Sequence, residues 1–166
     1  MTEHLTQAEM EEKEAERQEL LENETDLLNS LLDAHNYKQE KHQKIEIVRD
    51  GKRYFSFAVR GIDDQEQDAI RKKYTSMKGK GKNQRPEFDS VGFVNSLIYN
   101  ATIEQDKKRL WNNKDFQFKM NLINPTDVVG AVLLAGEKDY VAEIIHDLSG
   151  FNDDHEGDPD LDLAKN

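Results

Sequence analysis

The chain has 166 residues, 36% of them apolar and 34% charged, with a formal net charge of −11 and no cysteine. An average globular protein is ~45–50% apolar and ~25% charged, so a core is expected for part of this chain and solvated segments for the rest. Disulfide scaffolds, thiolate metal sites and cysteine nucleophiles are excluded, and no apolar run approaches the ~20 residues that cross a bilayer.

The acidic N-terminus, MTEHLTQAEMEEKEAE, lacks the apolar core of a signal peptide, so a reducing cytoplasm is the expected compartment. The charge is uneven. Residues 1–34 carry eleven acids and two bases, residues 35–151 seventeen acids and twenty bases, and residues 152–166 six acids and one base. A near-neutral middle is flanked by two acidic ends. Such blocks mark solvated or disordered tails. Overall acidity argues against nucleic acid as the main partner, because phosphate binding needs clustered Lys and Arg.

Residues 8–34 read as a helix, rich in Glu, Gln, Ala, Leu, Lys and Arg and free of Gly and Pro. The stretch from Glu9 to Glu19 is polar on every side. The later part has an apolar face, because Leu20, Leu21, Leu27, Leu28, Leu31 and Leu32 recur at helical spacing. Two readings stay open: a solvated arm leading into a docking helix, and an amphipathic helix that binds a partner.

Residues 43–60 read as a β-hairpin. Ile45 and Ile47 alternate with polar residues on one strand, as do Phe55, Phe57 and Val59 with small ones on the other. Between them, Asp50-Gly51 tolerates the positive φ angles of a type I′ turn. A helix is expected to start at Asp63, with Glu66 as the capping-box acid, and to run to about Tyr74. Residues 76–86, SMKGKGKNQRP, read as a loop.

Across 71–86 stand seven bases and no acid: Arg71, Lys72, Lys73, Lys78, Lys80, Lys82 and Arg85. An exposed mobile loop, a counter-charge to an acidic end, and a site for acidic protein or RNA are the readings of this segment. It offers one aromatic residue, Tyr74, and so no base-stacking platform. Its glycines do not follow the phosphate-loop order.

From Phe88 onward the chain is expected to be helical. Asp89 caps a helix carrying Val91, Val94, Leu97 and Ile98. Residues 107–120 suit one or two short helices. Asn124-Pro125-Thr126-Asp127 is a helix start with proline at the first position. The nearly all-apolar run 128–134 is expected to be buried and to end at Ala135-Gly136. Residues 137–149 then form the last helix, closed by Gly150 and Phe151 as a Schellman cap.

No catalytic or metal motif emerges. Histidines at 4, 35, 42, 146 and 155 show no ligand spacing. The acids at 153–160 lack EF-hand order. There is no nucleophile elbow. The expectation is a binding or assembly protein rather than an enzyme, with no cofactor, no metal and no membrane partner.

Three pieces of the C-terminal half then form a pattern: Asn124-Pro125-Thr126-Asp127-Val128-Val129, Leu133-Leu134-Ala135-Gly136-Glu137, and Leu148-Ser149-Gly150-Phe151. In this order and spacing they resemble the XkdN-like tail assembly chaperones of phages and phage-derived contractile tail particles. The polar leader, short hairpin, helix after Gly61 and basic linker are similar too, so the resemblance covers residues 25–151. It implies a factor that binds the long tape measure protein, keeps it soluble, helps the tail tube protein polymerise around it, and leaves before the tail is complete.

The expected fold is α+β: a mainly helical domain with one N-terminal β-hairpin and acidic, partly disordered arms at both ends. Its parts are an acidic arm and amphipathic helix at 1–34, a chaperone domain at 35–151 with the hairpin at 43–60 and helices over 63–151, and an acidic tail at 152–166. The partner-binding residues are expected to be the six leucines, with the basic 71–86 segment as a second candidate. A structural tail component and a nucleic-acid-linked phage regulator are the rival readings, and the oligomeric state stays open.

Overall fold

The computed structural model describes residues 7–151, which fall into two units, one ending at Tyr37 and one beginning at Lys38. Residues 1–6 and 152–166, on which part of the expected disordered arms falls, lie outside the described residues.

The first unit is built on a single helix, α1 (Gln7–Glu40), of 34 residues. It extends beyond the predicted 8–34 because His35, Asn36 and Tyr37 bring neither Gly nor Pro to stop it. At 1.5 Å per residue it is about 50 Å long.

The second unit opens with the hairpin β1 (His42–Arg49) and β2 (Lys52–Arg60), paired antiparallel. Asp50 at φ 51° and Gly51 at φ 75° make the two-residue turn that the Asp-Gly pair predicts. The register slips between Ile47 and Val48. Ile45, Ile47, Phe57 and Val59 all face inward and are buried. The outer edge of β2 is covered, because Ile103 N–H donates to Ala58 O and Asp106 accepts from Ala58 N–H at 2.8 Å. Arg109 also donates to Ser56 O at 2.7 Å. The hairpin therefore presents no open strand on that side.

Next comes α2 (Asp64–Lys73), capped as predicted: Asp63 accepts from Glu66 N–H, and Glu66 accepts from Asp63 N–H. The following residues correct the sequence reading. Residues 76–86 are not a plain loop, and the fold has more than one hairpin. Strands β3 (Thr75–Lys78) and β4 (Arg85–Phe88) pair antiparallel, so Phe88 ends a strand rather than beginning a helical stretch. Gly79 and Gly81 take positive φ in the turn, and Lys78 bridges to Glu87 at 2.5 Å. Every side chain of both strands is exposed. With no face to bury, the sequence carries no alternation that would reveal them.

Helix α3 (Ser90–Ala101) is capped by Asp89, which accepts from Gly92 N–H at 3.0 Å. A short turn, α4 (Glu104–Asp106), runs into a π-helical stretch over Lys107–Trp111, followed by α5 (Lys114–Met120). Helices α6 (Pro125–Val132) and α7 (Ala135–Leu148) complete the unit. Here too the boundary differs from the prediction: Ala135-Gly136 begins α7 instead of ending α6. The break falls at Leu133 and Leu134, both extended, and Glu137 reaches back to accept from Leu134 N–H at 2.8 Å.

The core forms where α3 packs on α6 and α7 and the hairpin lies against α3 and α7. Leu97, Ile98, Val129, Val141, Ile145 and Val59 are completely or almost completely buried, each contributing about 1.5–3 kcal/mol of apolar burial. Trp111 fills the corner beside the hairpin, edge-on to Phe57 at 5.3 Å and Phe55 at 6.2 Å. Its Nε1–H donates to Thr102 Oγ1 at 2.9 Å, and Thr102 Oγ1 donates to Ile98 O at 2.7 Å.

Candidate functional site

The six leucines singled out in the sequence all lie on α1. At 100° per residue they occupy an arc of about 140°. Each is 50–63% exposed, in a unit whose described side chains are all open to solvent. Acids crowd the same helix. Residues 7–37 hold ten acids against two bases, Lys13 and Arg17. The result is a leucine stripe on a strongly negative rod, suited to helix-in-groove or helix-on-helix docking.

The seven bases of the second candidate are spread over the end of α2 and the β3–β4 hairpin. Four of them already have partners. Lys72 bridges Asp68 at 2.7 Å, and Lys78 pairs with Glu87. Arg71 lies over the rings of Phe88 and Phe93 at 5.6 and 5.3 Å, and Lys73 over Tyr74 at 5.8 Å. Lys80, Lys82 and Arg85 remain exposed at the hairpin tip. Three of the seven bases that the sequence groups together are thus left at the tip.

The residues that carry the family pattern turn out to be architectural. Glu137 receives Arg49 in a fork: Nε donates to Oε1 and Nη2 to Oε2, both at 2.7 Å, while Nη2 also donates to Val132 O at 2.7 Å. The hydrogen bond from Arg49 holds the Glu137 carboxyl below the ordinary carboxylate range, and partial burial opposes it. One acid thus caps α7, satisfies the end of α6 through its arginine, and ties both to the tip of β1.

At the other end of α7, Ser149 Oγ donates to Ile145 O at 2.6 Å and accepts from Ile62 N–H at 2.9 Å. Gly150 sits at φ 88°, and Phe151 N–H donates to His146 O at 3.1 Å. That is the predicted Schellman end, with Phe151 resting edge-on against the His146 ring at 5.6 Å. Gly61 lets this helix end come close, since a Cβ there would stand 2.5 Å from Leu148 O. Arg49 stands at the end of β1, beside the Asp50-Gly51 turn. Its link to Glu137, 88 residues on, has no local signal.

A second fork joins β2 to α2. Arg60 donates to both Glu66 oxygens at 2.7 and 2.9 Å, which lowers the Glu66 pKa and raises that of Arg60. The same carboxylate serves the Asp63 capping box.

A cleft of about 340 Å³ lies between the ends of α2, α3 and α6, lined by Lys73, Tyr74, Ser96, Tyr99, Asn100, Asn124, Pro125 and Thr126. Lys73 is its one cation, and no carboxylate or imidazole lines it. Among the described residues no group of three or more His, Asp or Glu side chains is placed to hold a metal ion. None of their helices is long and apolar enough to cross a membrane.

Comparison with known proteins places the chain. No curated protein matches it. A solved crystal structure described as the protein yqbn matches with 18% identity over 68% of this chain and 88% of that one, at a TM-score of 0.44. A family model described as "Phage XkdN-like tail assembly chaperone protein" matches residues 28–160, spanning the hairpins, the whole helical core and all three pieces of the sequence pattern. The chain belongs to the XkdN-like family of phage tail assembly chaperones.

Proposed function

We propose that this chaperone binds the tape measure protein, keeps it soluble, and helps recruit tail tube protein to it during tail assembly. The leucine stripe of α1 is the client-facing surface. The observation that carries this reading is six leucines, each at least half exposed, aligned on one side of a helix with ten acids along residues 7–37. A long helical client whose apolar stripes aggregate when bare finds there a matching apolar strip. The acidic charge around it keeps the complex dispersed. Exposed side chains of this kind give an interface of modest quality, which suits a holder that must let go. On this reading the protein works in the cytoplasm of the bacterial host and departs before the particle is finished.

The test is co-expression of the tape measure protein with a variant carrying Leu27→Asp, Leu28→Asp, Leu31→Asp and Leu32→Asp. The second unit holds none of these residues, so its thermal transition is the control for folding. The expected outcome is a folded variant that no longer holds the tape measure in the soluble fraction. A folded variant that still holds it would remove α1 from this role.

A further inference from the structure

The β3–β4 hairpin has two unlike faces. Directly paired residues of an antiparallel ladder share a face. Thr75, Met77, Pro86 and Phe88 therefore stand on one side, and Ser76, Lys78, Arg85 and Glu87 on the other. The first face is largely apolar and the second is charged. Both are open, since every side chain of the two strands is exposed. A hairpin with no covered face is marginal in water, and a third strand is the usual remedy.

The two edges differ as well. Asp89 N–H donates to Tyr74 O at 2.8 Å, which makes Ser76–Glu87 and Lys78–Arg85 the hydrogen-bonded pairs. The backbone N–H and C=O groups of Thr75 and Met77 then point away from β4. On β4 one of the matching outward positions is Pro86, which has no N–H to offer. Proline blunts the β4 edge, while the β3 edge keeps both of its donors. Among the described residues no strand pairs with that edge.

The region is positive with its acids counted. Residues 68–89 hold seven bases and three acids. Asp68 bridges Lys72, Glu87 bridges Lys78, and Asp89 caps α3. Lys80, Lys82 and Arg85 are left without an ion pair among the described residues. The same chain holds a segment of matching pattern: Asp158, Asp160 and Asp162 alternate with Pro159, Leu161 and Leu163. A strand of that sequence puts acids on one face and apolar side chains on the other. In one register its acids meet the side of Lys78 and Arg85 and its leucines the side of Met77 and Phe88; a slip of one residue reverses both. The segment is within reach. Ser149 Oγ at the end of α7 accepts from Ile62 N–H, beside the start of α2, at 2.9 Å. From there α2 runs about 15 Å to β3, and residues 152–157 span up to about 20 Å when extended.

We infer that residues 158–163 add to the β3 edge of their own chain as a third strand. The acidic tail is then a strap over the basic hairpin, and any other acidic strand that uses this edge has to displace it. Backbone pairing holds the strap, charge and alternation set its register, and α1 takes no part.

The experiment is amide hydrogen exchange of the full chain, read by NMR at Thr75 and Met77, whose N–H groups point to the open edge. A tail variant carries Asp158→Lys, Asp160→Lys and Asp162→Lys. A hairpin variant carries Lys80→Glu, Lys82→Glu and Arg85→Glu, all at exposed positions. A third chain carries all six substitutions, and circular dichroism checks that each variant stays folded. In the wild type both amides are expected to exchange about tenfold or more slowly than in the tail variant. That protection is weakened by salt and does not change with protein concentration. The hairpin variant loses it, and the sixfold variant regains it because both charges are reversed together. Equal exchange in the wild type and the tail variant would overturn the inference, as would a sixfold variant that stays unprotected. Protection that grows with protein concentration would assign the edge to the tail of a second copy, and protection that comes only when another acidic protein is added would assign it to that partner; either result overturns the strap.

Discussion

Single side chains hold this small domain together at points where the backbone would otherwise come apart. Thr102 both donates to Ile98 O and accepts from Trp111 Nε1–H, so Thr102→Val keeps the volume and leaves a buried indole N–H without a partner. The expected loss is about 1–3 kcal/mol, read as a lower midpoint in urea with an unchanged slope. The arginine forks make a different prediction. Glu66 and Glu137 have lowered pKa values in the fold because Arg60 and Arg49 hydrogen-bond their carboxylates. On unfolding these values rise to the ordinary range. Both acids therefore contribute stability above that range, and the contribution is lost as pH falls through their folded values. The thermal midpoint of the wild type is expected to fall steeply below about pH 4, and less steeply in Glu66→Gln and Glu137→Gln, both of which start lower at pH 7.

At the scale of elements, legibility followed burial. The first hairpin was plain in the sequence because one face of it is buried: Ile45, Ile47, Phe57 and Val59 alternate, and Asp50-Gly51 supplies the turn. The capping acids Asp63 and Asp89, and the Schellman end at Gly150, were readable for a different reason, since a cap is a local matter of a few residues. The β3–β4 hairpin was hidden because neither of its faces is covered. The α6–α7 boundary was misplaced by two residues. The apolar run continues through Leu133 and Leu134, and the break is set by Glu137 from within the next helix. The candidate surfaces divide in the same way. The leucine stripe was visible as a period. The outward placement of Phe118, Met120 and Ile123, all exposed, was not, because Phe, Met and Ile in a short stretch look like core until the fold shows them outside.

For the whole molecule, the reading as a transient holder predicts absence from the product. Mass spectrometry of purified particles is expected to find tube and tape measure peptides and none from this chain; its stoichiometric presence would favour a retained structural part. The bond between Arg49 and Glu137 also bears on how the protein is made. The first hairpin is complete once Arg60 has left the ribosome, but the helix that covers its inner face ends at Leu148, 88 residues beyond. At roughly 5–20 residues per second, the inner row of Ile45, Ile47, Phe57 and Val59 waits about 4–18 s for its roof during translation. During synthesis the chain thus passes through an interval in which its own greasy ribbon is bare, with the acidic segment translated before it to keep neighbouring copies apart.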